Sequence, residues 1–192
     1  MHRLNHTIAV ILIALALAAC GAPAAQVPTA APTSAPTVLA TAEATAEAGI
    51  TITDALGRQV VLPEQAQRVV SLAPSITEII FAVGAGPQVV GDTQYCNYPP
   101  EADALPEIGG FSAKTISVET IVSLKPDLVI GGSTSQASVA EALAALGIPT
   151  VIFDPKTFDD VYTNITQVGA ATGHTSEAES VVIAMRERVA AV

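Results

Sequence analysis

The chain has 192 residues, a formal net charge of −10, and hydrophobic side chains at 50% of its positions. That acidity argues against nucleic acid as a partner, because phosphate binding needs a basic face, and against direct adsorption to anionic lipid. No Cys/His cluster has metal-ligand spacing, and there is no nucleophile elbow, His/Asp partner set or Gly-Lys phosphate loop, so neither a metal site nor an enzyme is expected.

Arg3 and the free amine precede an uncharged apolar run over residues 8–18, too short for a comfortable membrane span and suited to a signal-peptide core. Leu17, Ala18 and Ala19 place small residues before Cys20 and resemble the lipobox of bacterial lipoproteins. Residues 1–19 are therefore expected to be a lipoprotein signal peptide, with Cys20 the lipidated first residue of the mature chain. Its lipid is the only covalent group expected, and it tethers the protein to a membrane outside the cytoplasm. Residues 21–49 are almost entirely Ala, Pro and Thr, with Glu43 and Glu47 as their only charges. They cannot bury enough surface to fold, so residues 20–49 read as a disordered linker. Its reach lies between roughly 30 Å as a coil and roughly 90 Å fully extended.

From Ile50 the texture changes. Residues 50–53 and 59–62 are strand-like runs around a turn containing Gly57, which predicts a β-hairpin. Residues 68–72 form a strand; Ser75 with Glu78 reads as the capping box of a helix stopped by Gly84. Residues 89–91 are the next strand. A short helix over 118–124 ends at Pro126, with Val118, Ile121 and Val122 on its buried face and Glu119 projecting off it. Residues 127–130 form a strand that breaks into a loop from Gly131 to Gln136. Ser138 and Glu141 suggest a capping box for a helix with Val139, Ala142, Leu143 and Leu146 on one face. Residues 150–153 are the fourth strand of this alternation. Thr157 caps a helix carrying Phe158, Val161, Ile165, Val168 and Thr172, and His174 reads as a solvated residue at the junction after Gly173. Ser176 and Glu179 read as one more capping box before a final helix through Val181, Val182, Met185 and Val189. Continuous Val/Ile/Leu strands alternating with helices predict an α/β domain whose parallel sheet is covered on both faces. The final helix shows no stop signal up to Val192, which suggests a chain interrupted in mid-helix, as a fragment or a truncated gene product.

Three segments together resemble a known family. They are residues 68–78, the run Tyr95-Cys96-Asn97-Tyr98-Pro99-Pro100-Glu101-Ala102, and residues 117–130. All three are similar to the extracytoplasmic substrate-binding proteins of cobalamin and iron-siderophore ABC importers, and the second leans towards the cobalamin branch. The resemblance implies one Rossmann-like lobe of a two-lobe, helix-linked protein. Residues 50–175 would be the N-terminal lobe and residues 176–192 the start of the connecting helix, the second lobe lying outside the chain. It implies a monomer that captures a corrinoid, with cobalamin preferred as ligand over a siderophore or haem, and delivers it to a permease. By the same resemblance Tyr95 faces the corrin and Glu119 docks onto the permease.

Each residue also has a plainer reading. A carboxylate in the first turn of a helix, like Glu119, complements the macrodipole without any partner. Ser133 and Thr134 follow a strand at the carboxyl edge, where open α/β sheets place their ligand loops, and could hydrogen-bond a ligand; ordinary loop chemistry accounts for them equally well. Tyr98 precedes two prolines and reads as stacked on them, Glu78 as a capping residue, and Cys96 as a buried or idle thiol. A different class of function, an interaction or sensory lipoprotein built on one lobe, stays open beside transport.

Overall fold

The computed structural model describes residues 49–191. Cys20, the expected signal peptide and all but the last residue of the expected linker lie outside the described residues. Two short strands, β1 (Ile50–Thr53) and β2 (Gln59–Leu62), pair antiparallel as the expected hairpin. Gly57 takes a positive φ of 75° at the turn, a conformation that costs a glycine little. Asp54 holds the turn through its Oδ1, which accepts from the N–H groups of Leu56 (3.0 Å) and Arg58 (2.9 Å).

Four parallel strands form the main sheet: β3 (Val69–Ser71), β4 (Val89–Gly91), β5 (Leu128–Gly131) and β6 (Thr150–Ile152), in the order β4-β3-β5-β6. Helix α1 (Pro74–Ala82) joins β3 to β4, α2 (Val118–Ser123) precedes β5, and α3 (Ala137–Ala145) joins β5 to β6. Two longer helices, α4 (Phe158–Thr172) and α5 (Thr175–Ala190), follow β6. Crossovers of one hand that step in opposite directions from the centre must use opposite faces of the sheet. Accordingly α1, α4 and α5 cover one face, packing Ile76, Ile80, Ile165 and Val168 onto Val69, Leu128 and Val151. Helices α2 and α3 cover the other, setting Ile121, Val139 and Leu143 against Val70 and Val129. The alternation along each strand sends neighbours to opposite cores, so the strands are mostly apolar, and the buried hydroxyls of Ser71 and Thr150 each donate to a backbone carbonyl.

Several expected caps do not form. Helix α1 begins a residue before Ser75: extended Ala73 is its N-cap and Pro74, with φ already helical, opens the first turn. Ser138 lies inside α3, because a 3₁₀ turn over Thr134–Gln136 runs into that helix and leaves no extended residue to act as a side-chain cap. Helix α5 starts at Thr175 with His174 as a backbone N-cap, and the Ser176 hydroxyl turns to the adjacent Glu177 at 2.9 Å. Thr157 does cap α4, and Asp160 closes a reciprocal capping box with it. Ala142, Leu146 and Val122, expected on buried faces, are exposed: α3 and α2 are too short to keep a full stripe against the sheet.

The hairpin is fastened to the edge of the sheet by a partly buried ion pair. Asp54 pairs with the Arg58 guanidinium, whose Nε donates to Oδ2 at 3.0 Å, while Arg58 Nη2 also donates to the Thr150 carbonyl at 3.0 Å. The Ala55 N–H donates to the Ile152 carbonyl at 2.7 Å. Burial pushes the Asp54 carboxyl up, but the hydrogen bonds and charge of Arg58 outweigh it and hold the group below its ordinary value of 3.8. Removing one partner of such a pair strands a buried charge or a buried donor. Arg58→Ala is therefore expected to cost about 2 kcal/mol in urea denaturation, because it leaves the Asp54 carboxylate, still bonded to backbone N–H groups, without its counter-charge. The pair's contribution persists above pH 3.8 and disappears as the pH falls through the folded value, a dependence that Asp54→Asn should abolish.

Candidate functional site

In a parallel sheet the crevice opens at the carboxyl ends of the strands, where the order reverses and neighbouring loops lead apart. Here β3 leads through α1 to β4 on one side and β5 leads through α3 to β6 on the other, so the reversal falls between β3 and β5. Three segments meet at that edge: Leu72-Ala73 after β3, Asp92 to Tyr98 after β4, and Gly132 to Thr134 after β5.

Gln136 binds this edge together. It is fully buried, and its Nε2 donates to the carbonyls of Leu72 (2.8 Å) and Phe111 (2.9 Å) while its Oε1 accepts from the Gly132 N–H at 3.0 Å. The approach is close enough to require glycine nearby. A Cβ on Gly131 would lie 2.7 Å from Gln136 Oε1, and one on Gly132 would lie 2.7 Å from Ala73 Cβ. Sequence reasoning places Gln136 in an ordinary loop, since a glutamine after glycines and serines reads as a solvated residue. Its burial follows from three chain segments that only the fold brings together.

The loop after β4 turns at Thr93, whose carbonyl accepts from the Cys96 N–H at 2.9 Å. Tyr95 is 54% exposed, and Tyr98, in a cis peptide bond with Pro99, is 65% exposed. Cys96 points inward and is buried. Its Sγ lies 3.1 Å from Thr93 Oγ1 and 3.2 Å from Thr77 Oγ1, which in turn lies 2.8 Å from Ser71 Oγ. The polar groups of β3, α1 and this loop thus form one buried network beneath Tyr95.

Across the edge, Ser133 Oγ accepts from the Ser135 N–H at 3.2 Å, and Thr134 Oγ1 donates to Asp154 Oδ2 at 2.9 Å. Lys156 and Thr134 between them hold the Asp154 carboxyl below its ordinary value. Ser133 and Thr134 sit on the loop after β5 and Tyr95 on the loop after β4, with β3 between them. Glu119 is exposed in the first turn of α2, which Ser117 caps by accepting from the Thr120 N–H at 3.1 Å. The other end of α2 is tied to the amino edge of the sheet, where Arg68 donates to the Leu124 and Lys125 carbonyls.

Two open cavities run along α1. One of about 730 Å³ is lined by Phe81, Pro87, Val89 and Leu105, and one of about 360 Å³ by Ile79, Val161, Val181 and Met185. Glu78 and Tyr98 border both. Glu78 is therefore a wall residue and not a capping partner of Ser75. Tyr95, Ser133 and Thr134 border neither cavity and present themselves on the open rim.

The family model described as periplasmic binding protein matches residues 69–192. The chain belongs to the periplasmic binding protein family. It is 34% identical over 182 residues to an uncharacterized ABC transporter substrate-binding lipoprotein, YvrC, of Bacillus subtilis, covering 93% of this chain and 54% of that protein. A vitamin B12-binding protein of Pectobacterium carotovorum is 37% identical over 59% of this chain and 41% of its own length. Among solved structures, the vitamin B12-binding protein BtuF of Vibrio cholerae is similar with a TM-score of 0.60 and 31% identity, over 65% of this chain and 48% of that one. The haem-binding protein RhuT of Roseiflexus sp. RS-1 is similar with a TM-score of 0.59 and 37% identity, over 66% and 48%. This periplasmic binding protein chain spans about half the length of the curated relatives it matches.

Gln136→Ala is expected to lower stability by about 3 kcal/mol, since it strands buried backbone groups on three segments. Ser133→Ala, on the open rim, should cost less than about 1 kcal/mol. Parallel urea titrations of the two variants check the contrast.

Proposed function

We propose that this protein is the solute-binding lipoprotein of an ABC importer, held outside the cytoplasm by lipid on Cys20 and capturing cobalamin or a related corrinoid. Residues 50–175 supply one wall of a two-walled site, and residues 176–192 begin the helix that links the walls. The observation that carries the reading is Tyr95, standing exposed on the loop beside the strand-order reversal. A large, mostly apolar macrocycle is held by contact area, and a tyrosine ring adds a polar tip at low entropic cost. The hydroxyls of Ser133 and Thr134 lie on the neighbouring loop, in reach of polar groups at a macrocycle's rim. Relatives named for ABC-transporter substrate binding and for vitamin B12 binding support the reading. Among the described residues no helix is long and apolar enough to cross a membrane. The exposed carboxylate of Glu119 is proposed to dock onto basic residues of the permease.

Haem is the second reading, favoured by the 37% identity to RhuT and by the chemistry of an exposed phenol, which can ligate haem iron. The two ligands ask different things of Tyr95. Titration with cyanocobalamin and with haemin, followed by visible absorbance, is expected to give a cobalamin response that Tyr95→Ala weakens at least tenfold and Tyr95→Phe leaves nearly intact. A haemin spectrum lost in Tyr95→Phe, with no cobalamin response, would replace the corrinoid with haem; no response to either would sink both ligands.

Docking is tested separately. Glu119→Lys should leave ligand titrations unchanged while reducing the protein's stimulation of ATP hydrolysis by its importer in vesicles at least tenfold. Undiminished stimulation would remove Glu119 from the interface.

A further inference from the structure

Asp92 begins the loop that carries Tyr95. It is only 1% exposed, and its Oδ2 has no hydrogen-bond partner among the described residues. Its backbone is locked in place: the N–H donates to the Pro106 carbonyl at 3.1 Å, and its own carbonyl accepts from the Ile108 N–H at 2.8 Å. The side chain therefore cannot escape to water unless the loop or the 103–108 segment gives way. A buried carboxylate with an unsatisfied oxygen is costly, and the same group as a neutral acid is far less so.

The surroundings favour the neutral acid. From the segment alongside, Glu107 pairs with Asp92 in an isolated bridge, and the charges acting on the carboxyl are those of Glu107 and Asp103, both acidic. From its own loop comes the Cys96 thiol, the one neighbour that favours ionisation. Strand β3 and helix α1 contribute the uncharged hydroxyls of Ser71 and Thr77, which lead to Cys96. Burial dominates, the like charges add to it, and the carboxyl is pushed up to about 7.

We propose that Asp92 is the positioning residue of the Tyr95 loop, holding residues 92–98 in place as a neutral acid and releasing them when it ionises. The consequence for ligand, a weaker grip at higher pH, rests on the reading of Tyr95 given above; the loop's own behaviour does not. The sign follows from linkage. The folded state keeps this proton to a higher pH than the unfolded chain, which loses it near 3.8. Its stabilising effect is complete below that value, declines as the pH rises, and is gone above about 7. Opening the loop costs less than global unfolding, so the change should appear first as local exchange.

The test is amide hydrogen exchange of the full chain between pH 5.5 and 8.5, read by mass spectrometry and corrected for intrinsic rates. Protection over residues 92–98 should fall at least tenfold relative to β5 in the wild type and stay level in Asp92→Asn. Level protection in the wild type, or an equal fall in Asp92→Asn, overturns the proposal. Should Asp92→Asn fail to fold, the surface variant Glu107→Gln serves: without that like charge the pH at which protection over residues 92–98 stops falling should move to a lower value, and an unmoved pH overturns the assignment to Asp92. No ligand enters this experiment, so its failure would leave the ligand reading standing, and failed ligand titrations would leave the exchange result standing.

Discussion

Strand β3 lies between β4 and β5 with both its faces buried, and the shared edge of Tyr95, Ser133 and Thr134 depends on that ladder. A strand so placed must bury apolar side chains or polar ones with partners of their own, as Ser71 has, and must pair on both edges, which leaves its carboxyl end as the one route outward. The chain turns there into α1, and because β4 and β5 flank β3, their loops emerge on either side of that turn. Tyr95, Ser133 and Thr134 share an edge for this reason, although they are distant in sequence.

The same edge is where polar groups are most deeply buried. Ser71, Thr77, Cys96 and Gln136 find partners in one another and in backbone carbonyls, so the crowding stiffens the edge. Asp92 is the exception, with an oxygen left unpaired among acidic neighbours. A group that is tolerated only in its neutral form makes the loop above it conditional, whereas Gln136 on the other side makes its loops unconditional. Rigidity and response thus sit on opposite sides of β3.

Family membership and the acidic, lipid-tethered organisation proposed for the chain are consistent with a capture module working close to a membrane. In that proposal a linker of the expected reach would let such a lobe sample the surface of an importer without touching anionic lipid, and the exposed carboxylate on α2 would offer a contact that charge alone can steer. Of the cavities along α1, both bordered by Glu78 and Tyr98, the smaller is also walled by α4 and α5, and neither is lined by Ser133 or Thr134.

Much of the fold was legible in the residues. Runs such as Val69-Val70-Ser71 and Leu128-Val129-Ile130 determine buried parallel strands, because only a sheet covered on both faces needs continuous apolar side chains. Gly57, Thr157 and Gly173 likewise marked a turn, a helix start and a helix stop through local backbone chemistry. The Ser75/Glu78 box was misread because Pro74 can open a helix by itself, and a capping pattern does not reveal which of two adjacent starts will be used. Gln136 and Asp92 were not legible as buried groups, since each is an ordinary loop residue until segments up to 64 positions apart converge on it. Sequence alone determined the elements and their alternation, which follow from local propensity and periodicity; the tertiary structure decided which polar groups lost water, because burial is a property of neighbours that the chain brings together only by folding.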